Sequence, residues 1–405
     1  MRKTTISILA FCLAACSGPQ SDESPDVTPK THAEFLTLDT HIDIPLTYMK
    51  EIDPAGPTDL QVDLPKLATG QLDSGFWIVY TPQGELTEEG YAAGAEIAET
   101  RARAIVEFTR ANRETVVLAK TAQDVRDAVK AGKHAVLIGM ENAYPLGEDV
   151  SEVAKWEKRG AVRYMGITHF GHNQFGDSSN PNPERDDGPR HNGLSDLGKA
   201  LIKEMNKHGI MVDVSHAGKD TMMQAADLSK TPIIASHSGV KAVGDTERNL
   251  DDEQLLKIKE VGGVAQMVAL GVYVKPLNEA QNTLRETIRA EMGLETSEAR
   301  SNMSEEVEAA YEERLEALWD IEPEATIADF VDHIDHTVKV AGIDHVGIAS
   351  DFDGGGGITG WQDASQTANV TVELVKRGYS DADIAKIWGG NLLRVMEAAE
   401  AAKGD

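Results

Sequence analysis

Cysteine is nearly absent. The 405-residue chain has two, Cys12 and Cys16, both within its first sixteen residues. A body without thiols holds neither a disulfide framework nor a cysteine-ligated metal, so a metal would have to sit on His, Asp and Glu. Basic residues are also scarce: 39 Lys and Arg stand against 67 Asp and Glu, for a formal net charge of −28. Such a surface repels phosphate backbones, which argues against nucleic acid as a partner. Aromatics make up only 5%, but the hydrophobic share of 41% is enough for a substantial core. Long apolar runs are missing too, and none sits at the C-terminus as a membrane tail.

The first fifteen residues read as a targeting segment. Arg2 and Lys3 precede an apolar stretch from Ile6 to Ala15, too short to span a bilayer. Leu13-Ala14-Ala15-Cys16 resembles the bacterial lipoprotein signal, in which the cysteine is lipidated and becomes the new N-terminus. Ser17 fits delivery to the outer membrane rather than retention. The expectation is an exported protein, with a signal peptide at 1–15, anchored by lipid on Cys16 and facing the periplasm. Cleavage would remove two positive charges and shift the formal charge to −30. A flexible tether is expected over 16–33, rich in Ser, Pro and Asp, and the folded domain over 34–405.

Short apolar runs then alternate with amphipathic stretches. Strands are expected at Phe35–Asp39, Phe76–Tyr80, Ala135–Met140, Arg163–Thr168, Ile210–Val214, Ile233–Ser236, Val264–Val268 and His345–Ala349, with a small extra one at Val116–Leu118. Most are continuously apolar, as parallel strands buried on both faces are. Helical patterns include Gly90–Asn112, Leu197–His208, Asp251–Glu260, Ile327–Ala341 and Asp381–Ala401. Eight strands with intervening helices predict an α/β fold, a single (β/α)₈ TIM-type barrel. An acidic, helix-prone insertion over 279–324 precedes the last strand and emerges at the top face, where it either covers the site or is a peripheral decoration.

Metal-type side chains fall at the C-terminal ends of these strands, where barrels build their sites. They are His41 and Asp43, Glu141, His169, His216, His237, and Asp351 with Asp353. Alternate positions of an extended segment face one side, so His41 and Asp43 can grip one ion together. His216 and His237, from neighbouring strands, can grip a second, and Glu141 has two oxygens with which to bridge. Nitrogen and oxygen donors in an open geometry suit zinc ahead of manganese or cobalt. His32, His134, His208, His333, His336 and His345 lie in the tether, in helices or before strands and receive no role. His172 and His191, in loops near His169, stay ambiguous.

The motifs Asp39-Thr-His41-Ile-Asp43, Gly139-Met-Glu141-Asn142, Ile167-Thr-His169, Val214-Ser-His216, Ser236-His237-Ser238, Arg248-Asn249, Ser350-Asp351-Phe-Asp353-Gly354 and Gly389-Gly-Asn-Leu-Leu-Arg394 are spread from Leu38 to Met396. Together they resemble the membrane (renal-type) dipeptidase family, peptidase family M19. The resemblance implies two Zn²⁺ per chain, His41 and Asp43 on one, His216 and His237 on the other, Glu141 between them. It implies dipeptide hydrolysis by metal-activated hydroxide attack on the peptide carbonyl. His169 would contact the carbonyl oxygen or developing oxyanion, Arg248 the substrate's C-terminal carboxylate, and Asp351 would transfer the proton. It further implies tolerance of a D-residue at the C-terminal position, and a homodimer. The chain departs from the family's mammalian members in lacking cysteine pairs and a C-terminal anchor. Tyr273 is a candidate pocket residue that the motifs do not align.

Two other readings compete. The same scaffold could tailor a secreted peptide metabolite, or the protein could be a non-catalytic lipoprotein that binds metal or peptide. The presence of Asp351, His169 and Arg248 counts against the latter, since a storage site needs none of them. A generic amidohydrolase fits less well, because the first motif is His-x-Asp rather than His-x-His.

Overall fold

The computed structural model describes residues 32–404, apart from 160, 297–298 and 301–302. The expected signal peptide, Cys16 and the tether up to residue 31 therefore lie outside the described residues. No helix among the described residues is long and apolar enough to cross a membrane.

Nine strands form: β1 (Leu38–Ile42), β2 (Ser74–Tyr80), β3 (Val116–Leu118), β4 (His134–Glu141), β5 (Val162–Gly166), β6 (Met211–Asp213), β7 (Ile234–Ser238), β8 (Val264–Val268) and β9 (Val346–Ala349). Eight run in parallel in the order β1-β2-β4-β5-β6-β7-β8-β9, while β3 pairs beside the first residues of β4. The sheet closes between β9 and β1. Asp351 N donates to His41 O at 3.0 Å and Asp43 N to Phe352 O at 2.9 Å. The fold is the expected (β/α)₈ barrel. Every residue of β4, β5, β7 and β8 is buried, which explains runs such as Val-Leu-Ile in β4.

The helices wrap the outside. Residues Glu88–Ala111 form the longest described, and Ala122–Lys130 starts with a capping box in which Thr121 and Asp124 satisfy each other's backbone amides. The C-terminal helix expected over Asp381–Ala401 is interrupted by a π-turn at Lys386–Gly390. Within that turn a Cβ on Gly389 would lie 3.0 Å from the Leu36 side chain, which favours glycine there.

The strands other than β1 begin and end within two residues of expectation, and the larger differences lie at the start of the body. β1 begins three residues later than predicted, because Phe35 is buried in the core as a lead-in and Thr37 hydrogen bonds across to Gln71 and Asp73. His32, expected in the tether, is 2% exposed. Its ring bonds Thr371 Oγ1 at 2.6 Å and Gly70 O at 3.1 Å, so the body includes it.

The insertion between β8 and β9 carries helices Glu279–Met292 and Glu305–Leu315 around a small core of Ile288, Leu294 and Tyr311. It is tied to the barrel by Lys275 Nζ, which donates to Pro323 O at 3.0 Å and pairs with Glu322 at 2.9 Å.

Candidate metal centre

β1 places His41 one residue before its end and Asp43 one residue beyond it. Glu141 ends β4, His237 is the penultimate residue of β7, His169 and His216 lie three residues past β5 and β6, and Asp351 two past β9. Six strand ends thus turn their side chains to one mouth. The turn is sharp at two of them: His216 after β6 has φ of 64°, and Asp351 and Asp353 after β9 have φ of 61° and 59°. Left-handed backbone at non-glycine residues costs about 1 kcal/mol or more each and is kept where geometry is needed for function.

The cluster converges on Glu141. Its Oε2 lies 3.6 Å from His41 Nε2, and its Oε1 lies 3.0 Å from His216 Nε2, 3.3 Å from His237 Nε2 and 3.7 Å from His169 Nε2. The two oxygens of one carboxylate therefore face two different imidazole groups. His41 Nε2 is also 3.4 Å from Asp43 and 3.8 Å from Asp351. Three overlapping sets are close enough for a cation: His41, Glu141 and His237; Glu141, His169 and His216; and His41, Asp43 and Asp351.

The donor set fits a cation on physical grounds. His41 Nε2 is buried without a hydrogen-bond partner, and the Nε2 atoms of His216 and His237 face each other at 2.9 Å. Nitrogen lone pairs crowded this way into a buried carboxylate cluster call for a positive charge between them. Electrostatics follow the same lines. Burial alone would raise the Glu141 carboxyl, but the imidazoles of His169 and His41, with the hydrogen bonds of His216 and His237, hold it well below the usual range. Burial pushes Asp351 up to about 7, with Asp43 and Glu141 adding to the rise. Burial also lowers His216 and His237 well below the ordinary imidazole value, helped by the nearby Arg248 cation.

Arg248 is 3% exposed and so is not a surface ion pair. It donates to Ser238 Oγ at 2.6 Å and His237 O at 2.5 Å, while Tyr273 lies over its guanidinium at 5.4 Å. The cavity above the cluster measures about 540 Å³ and is lined by Asp43, Glu141, His169, His216, His237 and Asp351, together with Tyr80, Arg101, Phe170 and Tyr273. Among the described residues, none of 279–324 lines it, which counts against the insertion as a cover. Instead Trp319, Pro323 and Glu324 wall a second cavity of about 280 Å³, which shares Leu270 and Val272 with the first.

Several lining residues are not marked by the sequence, among them Tyr80, Arg101 and Phe170. Tyr80 ends β2, and its strand-end position is the available signal, although tyrosine is not a metal-type side chain. Arg101 reaches up from its helix to donate to Ile44 O and Tyr80 O, which nothing local announces. Phe170 is simply the neighbour of His169. The ambiguous pair resolves: His172 accepts from Ser178 N, and His191 bonds Asn173 O, so both brace the 170–194 loop.

A closed parallel barrel that gathers imidazoles and carboxylates at the C-terminal rim defines a metal-dependent hydrolase. The family model for the membrane dipeptidases, peptidase family M19, matches residues 28–405. The chain belongs to that family and is a metal-dependent peptide hydrolase of it. It is 36% identical to the probable dipeptidase PvdM from Pseudomonas aeruginosa, with a TM-score of 0.81 over 92% of this chain and 97% of that one. It is 28% identical to the dipeptidase verJ of Clonostachys rogersoniana over 94% of this chain and 88% of that relative. It shares its fold with a metallopeptidase from Rhodobacter sphaeroides, solved with a phosphinate mimic of L-Ala-D-Ala, at 22% identity and a TM-score of 0.69 over 90% of this chain and 99% of that one.

Proposed function

We propose that the protein hydrolyses dipeptides at a binuclear zinc site, including dipeptides with a D-residue at the C-terminal position. The observation that carries this is the division of Glu141, Oε2 towards His41 and Oε1 towards His216 and His237. His41 and Asp43 would hold one ion, His216 and His237 the other, and Glu141 both. When bound, two such cations polarise a peptide carbonyl and bring a water's pKa towards neutrality.

The chain's own groups do the rest. Arg248 binds the substrate's terminal carboxylate: two of its five N–H donors go to Ser238 and His237, which fixes the guanidinium and leaves the others for ligand. That capture limits substrates to short peptides. His169 donates to the oxygen that gains charge as the carbonyl becomes tetrahedral. Asp351, whose carboxyl is raised by burial and by the neighbouring Asp43 and Glu141 carboxylates, takes a proton from water and returns it to the leaving amine. A second reading, a larger peptide-derived metabolite trimmed at the same centre, is favoured by the adjoining apolar cavity beside Leu270 and Val272.

The proposal extends to location and assembly. Leu13-Ala14-Ala15-Cys16 supports lipid anchorage in the outer membrane after export, and Cys16→Ser should then release the protein in soluble form. Family resemblance supports a dimer, which sedimentation tests. The decisive assay is a panel of L,L and L,D dipeptides with zinc-loaded protein and Glu141→Ala. Turnover that needs Glu141 supports the reading. Two bound metals without turnover of any dipeptide would sink it in favour of tailoring or binding.

A further inference from the structure

Beneath the metal-type residues lies a layer of polar side chains in the barrel's interior. Tyr164, on β5, is fully buried, and its ring runs across the space left by Gly139 of β4. A Cβ on Gly139 would sit 2.3 Å from Tyr164 Cζ, so the glycine is what admits the ring. The Tyr164 hydroxyl donates to Thr40 O at 3.0 Å, at the register shift of β1 against β2. A phenol has one proton. With it committed to a carbonyl, which can only accept, the oxygen offers His41 Nδ1 a lone pair, also at 3.0 Å. His41 must then carry its proton on Nδ1, leaving the Nε2 lone pair towards Asp43 and Glu141.

The second histidine pair is handled by other groups. Asp213 Oδ1 accepts from the amides of Ser215 and Ser236, and its Oδ2 accepts from Ser236 Oγ at 2.8 Å. The serine's proton being spent there, Ser236 Oγ accepts from His237 Nδ1 at 2.8 Å. His237 is thus also protonated on Nδ1. His216 Nδ1 is buried with no such partner.

We infer that Tyr164 and the Ser236–Asp213 pair are positioning residues that fix the tautomers of His41 and His237, each acting mainly on the affinity of its own metal position although Tyr164 and Ser236 also touch. The inference rests on the two-metal reading above. An imidazole ligand whose other nitrogen loses its acceptor can place the proton on either nitrogen, and only one form has a lone pair for the metal. Loss of such a partner generally weakens binding 10- to 100-fold. Tyr164→Phe keeps the ring in the space over Gly139 and removes only the hydroxyl.

The test is competition for zinc between the protein and a chromogenic chelator, on variants that each retain one position. In a His216→Ala background, Tyr164→Phe should weaken the remaining zinc by about 10- to 100-fold. In a His41→Ala background the same change should weaken the remaining zinc much less, while Ser236→Ala weakens it by about 10- to 100-fold. Thermal melting of the metal-free proteins shows whether each variant folds. Should Tyr164→Phe fail to fold, the Ser236→Ala comparison still decides whether the two positions are set separately. Equal losses from Tyr164→Phe in both backgrounds, or no loss in the first, overturn the inference. Wild-type protein that takes up a single zinc overturns the two-metal reading and the division of labour with it.

Discussion

Gly354 follows the last acidic motif and touches both carboxylates that flank His41. A Cβ added there would lie 2.2 Å from Asp43 Oδ2 and 2.8 Å from Asp351 Oδ1. Ordinary contact starts at 3.4 Å, so Gly354→Ala forces the Asp43 oxygen back by about 1.2 Å. That oxygen is the one 3.4 Å from His41 Nε2, and Asp43 is 8% exposed, with little room to retreat. A misplacement of about 1 Å at a reacting centre costs on the order of 10²-fold in rate. Gly354→Ala should therefore lower kcat/KM for a good dipeptide by about 10²-fold and weaken zinc retention. The fold should lose no more than the roughly 1–3 kcal/mol typical of one extra methyl. Gly271 is the control: it borders the adjoining cavity, and a Cβ there meets nothing within 4 Å, so Gly271→Ala should be silent. Steady-state kinetics, metal analysis and denaturant melts on the three proteins settle the matter. Gly354→Ala with wild-type kinetics and metal content would refute the placement of Asp43 and Asp351 around the centre.

Arg248→Ala leaves His237 O and Ser238 Oγ without their donor, and it should cost about 1–3 kcal/mol of stability as well as raising KM. Arg248→Lys should restore charge but not the two-point grip, a difference that KM and urea melts both read. Burial lowers His134 to about 4 from an ordinary 6.5. The unfolded chain then binds the proton that the fold refuses, so stability is full above pH 6.5 and falls as pH drops towards 4, by about 3 kcal/mol in total. Urea unfolding of wild type and His134→Gln across that window should show a shallower slope in the variant, by the share of one proton, because other buried histidines such as His333 are also lowered. Zinc at a hundredfold excess over its Kd should add about 2.7 kcal/mol of stability per position. Calorimetry should find that gain reduced in Glu141→Gln and absent after chelation.

What could be read from the chain alone was whatever a local pattern encodes. Buried parallel strands announce themselves as apolar runs, and the motif residues stood out because they are metal-type side chains at the ends of such runs. The bounds of β1 fall three residues later than its apolar run suggests, because Phe35 and Leu36 are as apolar as a strand although they serve as a lead-in. Tyr164 was invisible as a site residue: mid-strand, it looks like core, and only the empty space at Gly139 on the neighbouring strand reveals that its hydroxyl reaches β1. Arg101 is equally silent, since a helix arginine normally points to water. Local periodicity says which face of an element is buried, but not which distant atom a long side chain will reach.

The interior of this barrel differs from a purely aliphatic one for a reason that the rim supplies. Asp39, Thr40, Tyr164, Asp213, Ser236 and Ser350 are all at 0–1% exposure under the cluster, where a barrel usually stacks Val, Ile and Leu. Unpaired, such groups would each cost about 1–3 kcal/mol. Here most are paired: Thr40 Oγ1 donates to Ser236 O, Asp39 Oδ1 takes the amides of His41 and Ser350, and Ser350 Oγ donates to His41 O. These bonds join β1, β7 and β9 by side chains just below the level where left-handed backbone at His216 and Asp351 turns the ligand-type residues inward. The strain at the rim and the polar layer below it are thus one arrangement. Rigid strands fix the height of each donor, and the layer fixes its orientation. Substituting the layer with aliphatic residues would therefore be expected to leave a barrel standing while scattering the donors above it.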